Sequence, residues 1–415
     1  MQKTSESLAV EPEKLNLRQL LMLAGVMLVA MFTLTLPVAQ LDEFVSRLLP
    51  DGGANLELEK TAKGLFSTFH FVAYIPFAFL WGALSDRQGK RKPLLLMGLV
   101  GQGIMYLIMP YVPNIWLLYL ARFIEGSFSI AVVSMLMTMA LDMAPRAKRG
   151  MTLGIFTLGM LIGNAVGAPL GGVLSDRLGY DVPFVLGGVL LLTMSVVVFL
   201  LIRDTPSISR AYSLKDALAG LRRNPRLYIP YGFSMLDRLT VGFFVGQFPI
   251  LAAQIYGLKP SQTGIYLSVF LAGFALFSPV GGVISDRLGR VRPMLLGTVV
   301  YGLMLMLVGR VSAEMLYVVM AIGGLSGAVL YPPSIALVGD YAGPGQRGVA
   351  MGGFNLAGSI GYAAGPLLFG LLADFYDLLA PPLVAGALCL LASLIAAPLL
   401  LRRERAALRL EPGAE

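Results

Sequence analysis

The sequence predicts an all-α membrane protein: twelve transmembrane helices in two pseudo-symmetric six-helix halves, with both termini cytoplasmic. Three observations carry this. Of the 415 residues, 56% are hydrophobic and 13% charged, with a mean hydropathy of +0.75, whereas soluble globular domains carry about 25% charged residues. Apolar runs of about 20 residues, long enough to cross a ~30 Å hydrocarbon core as a helix, recur along the whole chain. A charged phrase is also written twice, as GALSDRQGKRKP from Gly82 to Pro93 and GVISDRLGRVRP from Gly282 to Pro293.

The runs fix the spans in order. The first 18 residues are polar and no small-residue cleavage site follows the first apolar run, so no cleavable signal peptide is expected and 18–40 is the first span. It is followed by 61–83, 93–110, 114–141, 149–173 and 182–202, which complete an N-terminal half over 1–202. A cytoplasmic linker over 203–226 contains Ser213-Leu-Lys-Asp216, which reads as a capping box opening a short surface helix. The C-terminal half, 227–415, holds spans 227–255, 262–284, 293–309, 315–339, 347–372 and 380–401. The runs are continuous rather than alternating, which excludes a β-barrel.

Charge gives the orientation. Of the 32 Lys and Arg, 24 fall on the side of the termini, six near the opposite side and two inside spans, and the opposite side carries ten Asp and Glu. By the positive-inside rule both termini are cytoplasmic. The net charge of +8 then reflects topology and contact with anionic lipid, so nucleic acid is not expected as a partner. The one cysteine, Cys389, lies in the last span, which leaves neither a disulfide framework nor a cysteine metal site; it reads as a packed small hydrophobe. One His and one Cys leave little for enzyme chemistry, and no GxxxxGK[ST] sequence points to ATP. The chain reads as a non-enzyme without cofactor or metal.

Both copies of the charged phrase leave an even-numbered span, the second and the eighth. Arg149-Gly150-Met151 and Arg347-Gly348 with Met351 repeat at nearly the same offset, at the entries to spans five and eleven. A fainter echo lies at the other face, where span five ends in GVLSDRLGYD (Gly172 to Asp181) and span eleven in GLLADFYD (Gly370 to Asp377). The same Gly-x-x-Ser/Ala-Asp ending on opposite faces within each half is the trace of a three-helix unit repeated with inverted topology, a signature of secondary transporters.

These residues resemble the major facilitator superfamily. Gly82, Asp86, Arg87, Gly89, Lys90 and Arg91 match its loop motif between helices two and three, and Gly282, Asp286, Arg287, Gly289 and Arg290 match the second-half copy, which departs at Val291. Arg122 with Gly126 resembles the family's helix-four motif, whose buried arginine is associated with proton coupling; Glu125 is an addition to that pattern. In span five, Gly159, Gly163, Gly167 and Gly171 recur every four residues and, with Pro169 and Gly172, resemble the antiporter motif GxxxGPxxGG, the proline falling one place late. Gly353, Ala357, Gly361 and Gly365 repeat the stripe in span eleven. Tight helix packing explains such a stripe equally well. The resemblance implies the major facilitator fold, alternating access, a monomer, and a conformational role for Asp86 and Arg87 in holding the cytoplasmic side against the opposite half.

Five ionisable residues lie deep in spans: His70, Arg122, Glu125, Asp237 and Arg238. A charge near the bilayer midplane is costly and marks a functional site with a partner to be named. Arg122 and Glu125 share a helix face and can pair. Asp237 and Arg238 diverge by about 100°, so at least one seeks a partner elsewhere. The resemblance places the helix-four and helix-seven charges opposite each other across a central cavity. Asp237 or Glu125 is the expected proton carrier; a static structural network is the alternative, and His70 fits a packed, hydrogen-bonded residue better than a coupling one. The expected function is proton-driven efflux of a lipophilic or amphiphilic small molecule across a bacterial inner membrane, with protons and membrane lipids as partners. Proton-coupled uptake of a small metabolite and lipid or lysolipid export stay open.

Overall fold

A computed structural model of the chain describes residues 16–53, 56–145, 148–204, 224–342 and 347–410, with the backbone alone at 149–150, 347–348 and 403–410. Ser213 to Asp216 lie outside the described residues, as do the side chains of Arg149 and Arg347. Long helices account for every expected span: α1 (Leu17–Thr35), α2 (Glu59–Gln88), α3 (Lys92–Ile108), α4 (Ile115–Asp142), α5 (Arg149–Leu178), α6 (Val182–Leu201), α7 (Tyr228–Gly246), α8 (Pro260–Leu288), α9 (Val291–Leu307), α10 (Ala313–Tyr341), α11 (Arg347–Phe375) and α12 (Ala380–Leu410). Ten are individually long and apolar enough to cross a membrane, and α9 is a shorter apolar helix. The seventh span is broken: α7 and the short helix Phe248–Tyr256 meet at 47°. Pro249 explains the break, since it has no N–H to offer the carbonyl four residues back. That carbonyl, of Val245, instead accepts the Ser67 hydroxyl of α2 at 3.1 Å.

The repeated charged phrase ends both α2 and α8 at a glycine of positive φ. Gly89, at φ 63° and ψ 14°, takes the left-handed conformation in which glycine terminates helices without a Cβ penalty, while Gly289, at φ 83° and ψ 164°, turns the chain out through an extended conformation that glycine also adopts freely.

Small residues set the packing within each half. A Cβ on Gly159, Gly163, Gly167 or Gly171 would meet the α1 backbone near Ala24, Leu28, Phe32 and Leu36, so the α5 stripe is the surface on which α1 lies. In the second half Gly353 faces Tyr231, and Gly361 and Gly365 face the α7 backbone near Met235 and Leu239. One apolar core fills the N-terminal helices around Leu23, Phe66, Leu136 and Phe184, and a second fills the C-terminal helices around Phe243, Phe270, Tyr301 and Phe369. Cys389 is a buried free thiol in that second core.

The halves meet along two seams, α2 against α11 and α5 against α8. Toward the face opposite the termini both seams are tight: Gly64 abuts Pro366, and Gly172 and Gly264 approach the backbones of Pro260 and Pro169. Toward the face of the termini a cavity of about 290 Å³ lies between α2, α4 and α11.

A short helix, Leu41–Ser46, covers the tight face. Beneath it Lys63, 2% exposed, pairs with Asp42 and Glu59. Burial, and then the neighbouring Asp42 and Asp176 carboxylates, push Glu43 up to about 7. A carboxyl whose pKa is higher folded than unfolded binds more protons in the native state, so it reduces stability as pH rises through the window between 4.5 and about 7. Glu43→Gln is expected to flatten the fall in melting temperature of the detergent-solubilised protein between pH 5 and 8, by a free-energy equivalent on the order of 1 kcal/mol after allowance for solvent screening. Parallel melting curves for the two proteins would refute this.

Candidate functional site

The charges of spans two and four form one network at the centre of the N-terminal half. Glu125, fully buried, accepts from Arg122 Nη1 at 2.8 Å and from Gln102 Nε2 at 2.9 Å. Its Oε2 lies 2.6 Å from His70 Nδ1. The other imidazole nitrogen is 3.1 Å from the Tyr74 hydroxyl, which in turn is 3.0 Å from Ser129 Oγ. The Arg122 guanidinium sits over the Phe66 ring at 4.2 Å, a cation–π contact that strengthens where water is excluded. Helical spacing explains the assembly: His70 and Tyr74 are one turn apart on α2, as are Arg122 and Glu125 on α4.

The expected Arg122–Glu125 pair is therefore present. His70, which the sequence favours as a packed residue, is packed and hydrogen-bonded, and its partner is the buried acid itself. Sequence reasoning did not single out Tyr74, Gln102 or Ser129. Their only sequence signal was weak: Tyr74 falls four residues after His70, and Gln102 is an amide inside an apolar run.

In the C-terminal half, Arg238 Nε lies 3.3 Å from Asp237 Oδ2. The guanidinium also donates to the Tyr362 hydroxyl at 3.0 Å and to that of Tyr331, and both rings lie within 5.0 Å of its carbon. Arg238 thus reaches partners on α10 and α11 while holding its neighbour. The two charge groups do not touch directly. His70 meets Phe71 edge-on at 4.8 Å, and Phe71 stacks on Tyr362 at 4.7 Å and 11°. An aromatic bridge across the α2–α11 seam joins the imidazole of one half to the arginine cage of the other.

The cavity opens below this bridge. Tyr74, Ile75, Phe79, Met135 and Leu356 supply much of its apolar wall, and Arg91, Ser134, Thr138, Asn355 and Ser359 place polar groups in it. Tyr74 belongs both to the cavity wall and to the His70 network. At the cavity's rim Arg91, 2% exposed, donates to Ser85 at 2.8 Å, Asp86 at 3.2 Å and Asp142 at 3.2 Å, tying the end of α2 to the end of α4. In the second copy Arg290 holds Ser285, Asp286 and, at 3.5 Å, Asp340. Asp142 and Asp340 occupy matching places in the two halves and were not picked out from sequence. Arg87, Lys90 and Arg287 are exposed, Gly82 lines the cavity, and Gly282 faces open space.

The family model described as Major Facilitator Superfamily matches this chain twice, over residues 19–246 and 231–415. The chain belongs to that superfamily. Among curated relatives, the Multidrug resistance protein MdtG of Salmonella heidelberg (strain SL476) is 26% identical over 361 residues, covering 84% of this chain and 86% of the relative. The Uncharacterized MFS-type transporter YuxJ of Bacillus subtilis (strain 168) is 24% identical over 327 residues, covering 76% and 81%. Among solved structures, a bacterial homolog of the human lysosomal transporter Spinster, inward-facing and occupied, superposes with a TM-score of 0.77 at 15% identity over 92% of this chain and 97% of the other. The human organic anion transporter MFSD10 superposes with a TM-score of 0.66 at 20% identity, covering 92% and 99%. These structures share the fold. As a member of the superfamily the chain is a multi-pass secondary transporter and not an enzyme.

Proposed function

We propose that this protein exports lipophilic or amphiphilic compounds from the cytoplasm in exchange for protons. The terminal face, which carries the excess of Lys and Arg, is assigned to the cytoplasm, so the state described is open inward. One observation carries the reading: a cavity walled mainly by aliphatic and aromatic side chains shares Tyr74 with a fully buried His70–Glu125–Arg122 cluster. A wall that is apolar over most of its surface, with polar groups interspersed, accepts amphiphilic ligands. The MdtG relatives, named for multidrug resistance, support the same substrate class.

In this mechanism Tyr74 connects the cavity to His70, and His70 and Glu125 hold the transported proton between them. Adding it gives the cluster one positive charge, weakens Glu125's hold on Arg122, and alters the packing of His70 on Phe71. The Phe71–Tyr362 stack carries that change to Arg238 in the other half. Substrate and proton thereby bias the same seam in opposite senses, which is the requirement for exchange by population shift.

A second reading rests on Arg238. Its side chain is 22% exposed, and a guanidinium caged by two tyrosines suits an amphiphilic organic anion. One experiment separates the two. Purified protein in liposomes with an imposed pH gradient is followed for movement of ethidium, of a fluorescent organic anion and of protons. Ethidium flux opposite to proton flux is the expected result. Anion flux without ethidium flux favours the second reading, and substrate moving in the same direction as protons overturns export.

A further inference from the structure

The tight face is closed by carboxylates that one half lends to the helix ends of the other. Asp374, near the end of α11, accepts from Lys60 N at 2.9 Å through one oxygen, and from Thr61 N at 2.7 Å and Thr61 Oγ1 at 2.6 Å through the other. Lys60 and Thr61 are the second and third residues of α2, whose preceding residue, Leu58, supplies no side-chain cap. The N–H groups at those two positions are the ones a capping side chain normally takes. Here the cap comes from residue 374, in the opposite half.

The second seam repeats the arrangement. Asp176, near the end of α5, accepts from Ser261 N at 3.1 Å, at the second residue of α8. Asp176 and Asp374 are the aspartates of the GVLSD and GLLAD endings, and Thr61 and Ser261 stand at matching places in the repeat. Glycines bring the helices close enough: Gly370 faces the Thr61 backbone, and Gly172 faces Pro260 and Ser261. Gln247 reinforces the first seam by donating to Lys60 O at 3.1 Å and Pro366 O at 3.2 Å.

From this geometry we infer that Asp374 and Asp176 are the latches of the face opposite the termini, each capping a helix of the other half only while that face is shut. To admit water between the halves there, α2 must leave α11 and α8 must leave α5. Each parting exposes uncapped N–H groups at a positive helix end and strips a carboxylate of charge-assisted hydrogen bonds. The latches weight the transport equilibrium toward the state described above. They are unequal: Asp374 is partly buried with three bonds, whereas Asp176 is exposed with one.

The test reads conformation and needs neither substrate nor proton flux, so it stands or falls apart from the transport reading. Spin labels at Glu57→Cys and Glu314→Cys, one in each half and both exposed, are introduced with Cys389→Ala, and their distance distribution is measured in lipid nanodiscs. The native protein is expected to populate mainly the shorter distance. Asp374→Asn is expected to raise the ratio of longer to shorter distance about tenfold, the equivalent of one charge-assisted bond network. Thr61→Val and Asp176→Asn are expected to shift it less in the same direction, and the two Asp→Asn changes together to multiply, as independent sites do. A label pair within one half, Glu57→Cys with Trp116→Cys, reports whether each variant keeps its fold. If Asp374→Asn is misfolded, Thr61→Val decides. An unchanged ratio in the folded Asp374→Asn protein, or in Thr61→Val where that variant decides, overturns the assignment.

Discussion

Glu125→Gln is expected to abolish proton-driven substrate movement, lowering the coupled rate by roughly a hundredfold or more, about 2.7 kcal/mol of barrier. The amide keeps the shape of the carboxyl and can still accept from Gln102, but it cannot hold the proton shared with His70. It also leaves Arg122 as a buried cation without its counter-charge, and removing one partner of a buried pair costs about 3–5 kcal/mol. Loss of activity through loss of fold therefore has to be separated from loss of coupling. The double variant Glu125→Gln with Arg122→Gln removes the stranded charge and should recover most of the melting temperature while leaving coupling lost. Downhill substrate movement without a pH gradient should persist in it. If the double variant regained proton-coupled transport, the network would be a static structural element. Asp237→Asn is the informative comparison, because Arg238 keeps both tyrosine hydroxyls when the Asp237 charge is removed.

Opposite outcomes are expected for two glycine-to-alanine changes nine residues apart on α5. A Cβ at Gly154 meets no atom within 4 Å, so Gly154→Ala adds helix propensity without strain and should stabilise by about 0.5–1 kcal/mol. A Cβ at Gly163 would collide with the carbonyl of Leu28 and stand 3.0 Å from Phe32 N, both backbone atoms of α1. Backbone cannot rotate away as a side chain can, so α1 must be displaced as a unit. Gly163→Ala should destabilise by about 1–3 kcal/mol, and larger side chains should prevent assembly. Thermal unfolding of the two variants in detergent checks the sign. A destabilised Gly154→Ala beside a neutral Gly163→Ala would mean that the stripe is not the α1 contact.

The spans were legible because each is a continuous apolar run, and Gly89 and Gly289 mark where two of them stop. The break after α7 was not read: Pro249 lies inside a single apolar run, and its freed carbonyl is satisfied by Ser67, 178 residues away. Within the network, Arg122–Glu125 followed from spacing along one helix. The partnership of His70 with Glu125 spans 55 residues and two helices, which no local pattern specifies. Arg238 was legible as a charge in need of a partner, whereas the identity of its partners depended on how α10 and α11 pack around α7. The GVLSD and GLLAD endings were visible as an echo of symmetry, but only the contact of opposite halves turns their aspartates into caps.

The brevity of α9 has a consequence for the surrounding bilayer. Its 17 residues, at about 1.5 Å each, give roughly 25 Å of helix, less than a ~30 Å hydrocarbon core. Its pseudo-symmetric counterpart α3 is also 17 residues long but runs on through a 3-10 turn, Met109–Tyr111, into a span of 20 residues that is long enough to cross. Lipids beside α9 must thin or tilt their chains to match, a cost of fractions of a kcal/mol per Å. The protein thus carries a hydrophobic mismatch in its C-terminal half, and acyl-chain length becomes an uneven mechanical load on the rocking of one half against the other.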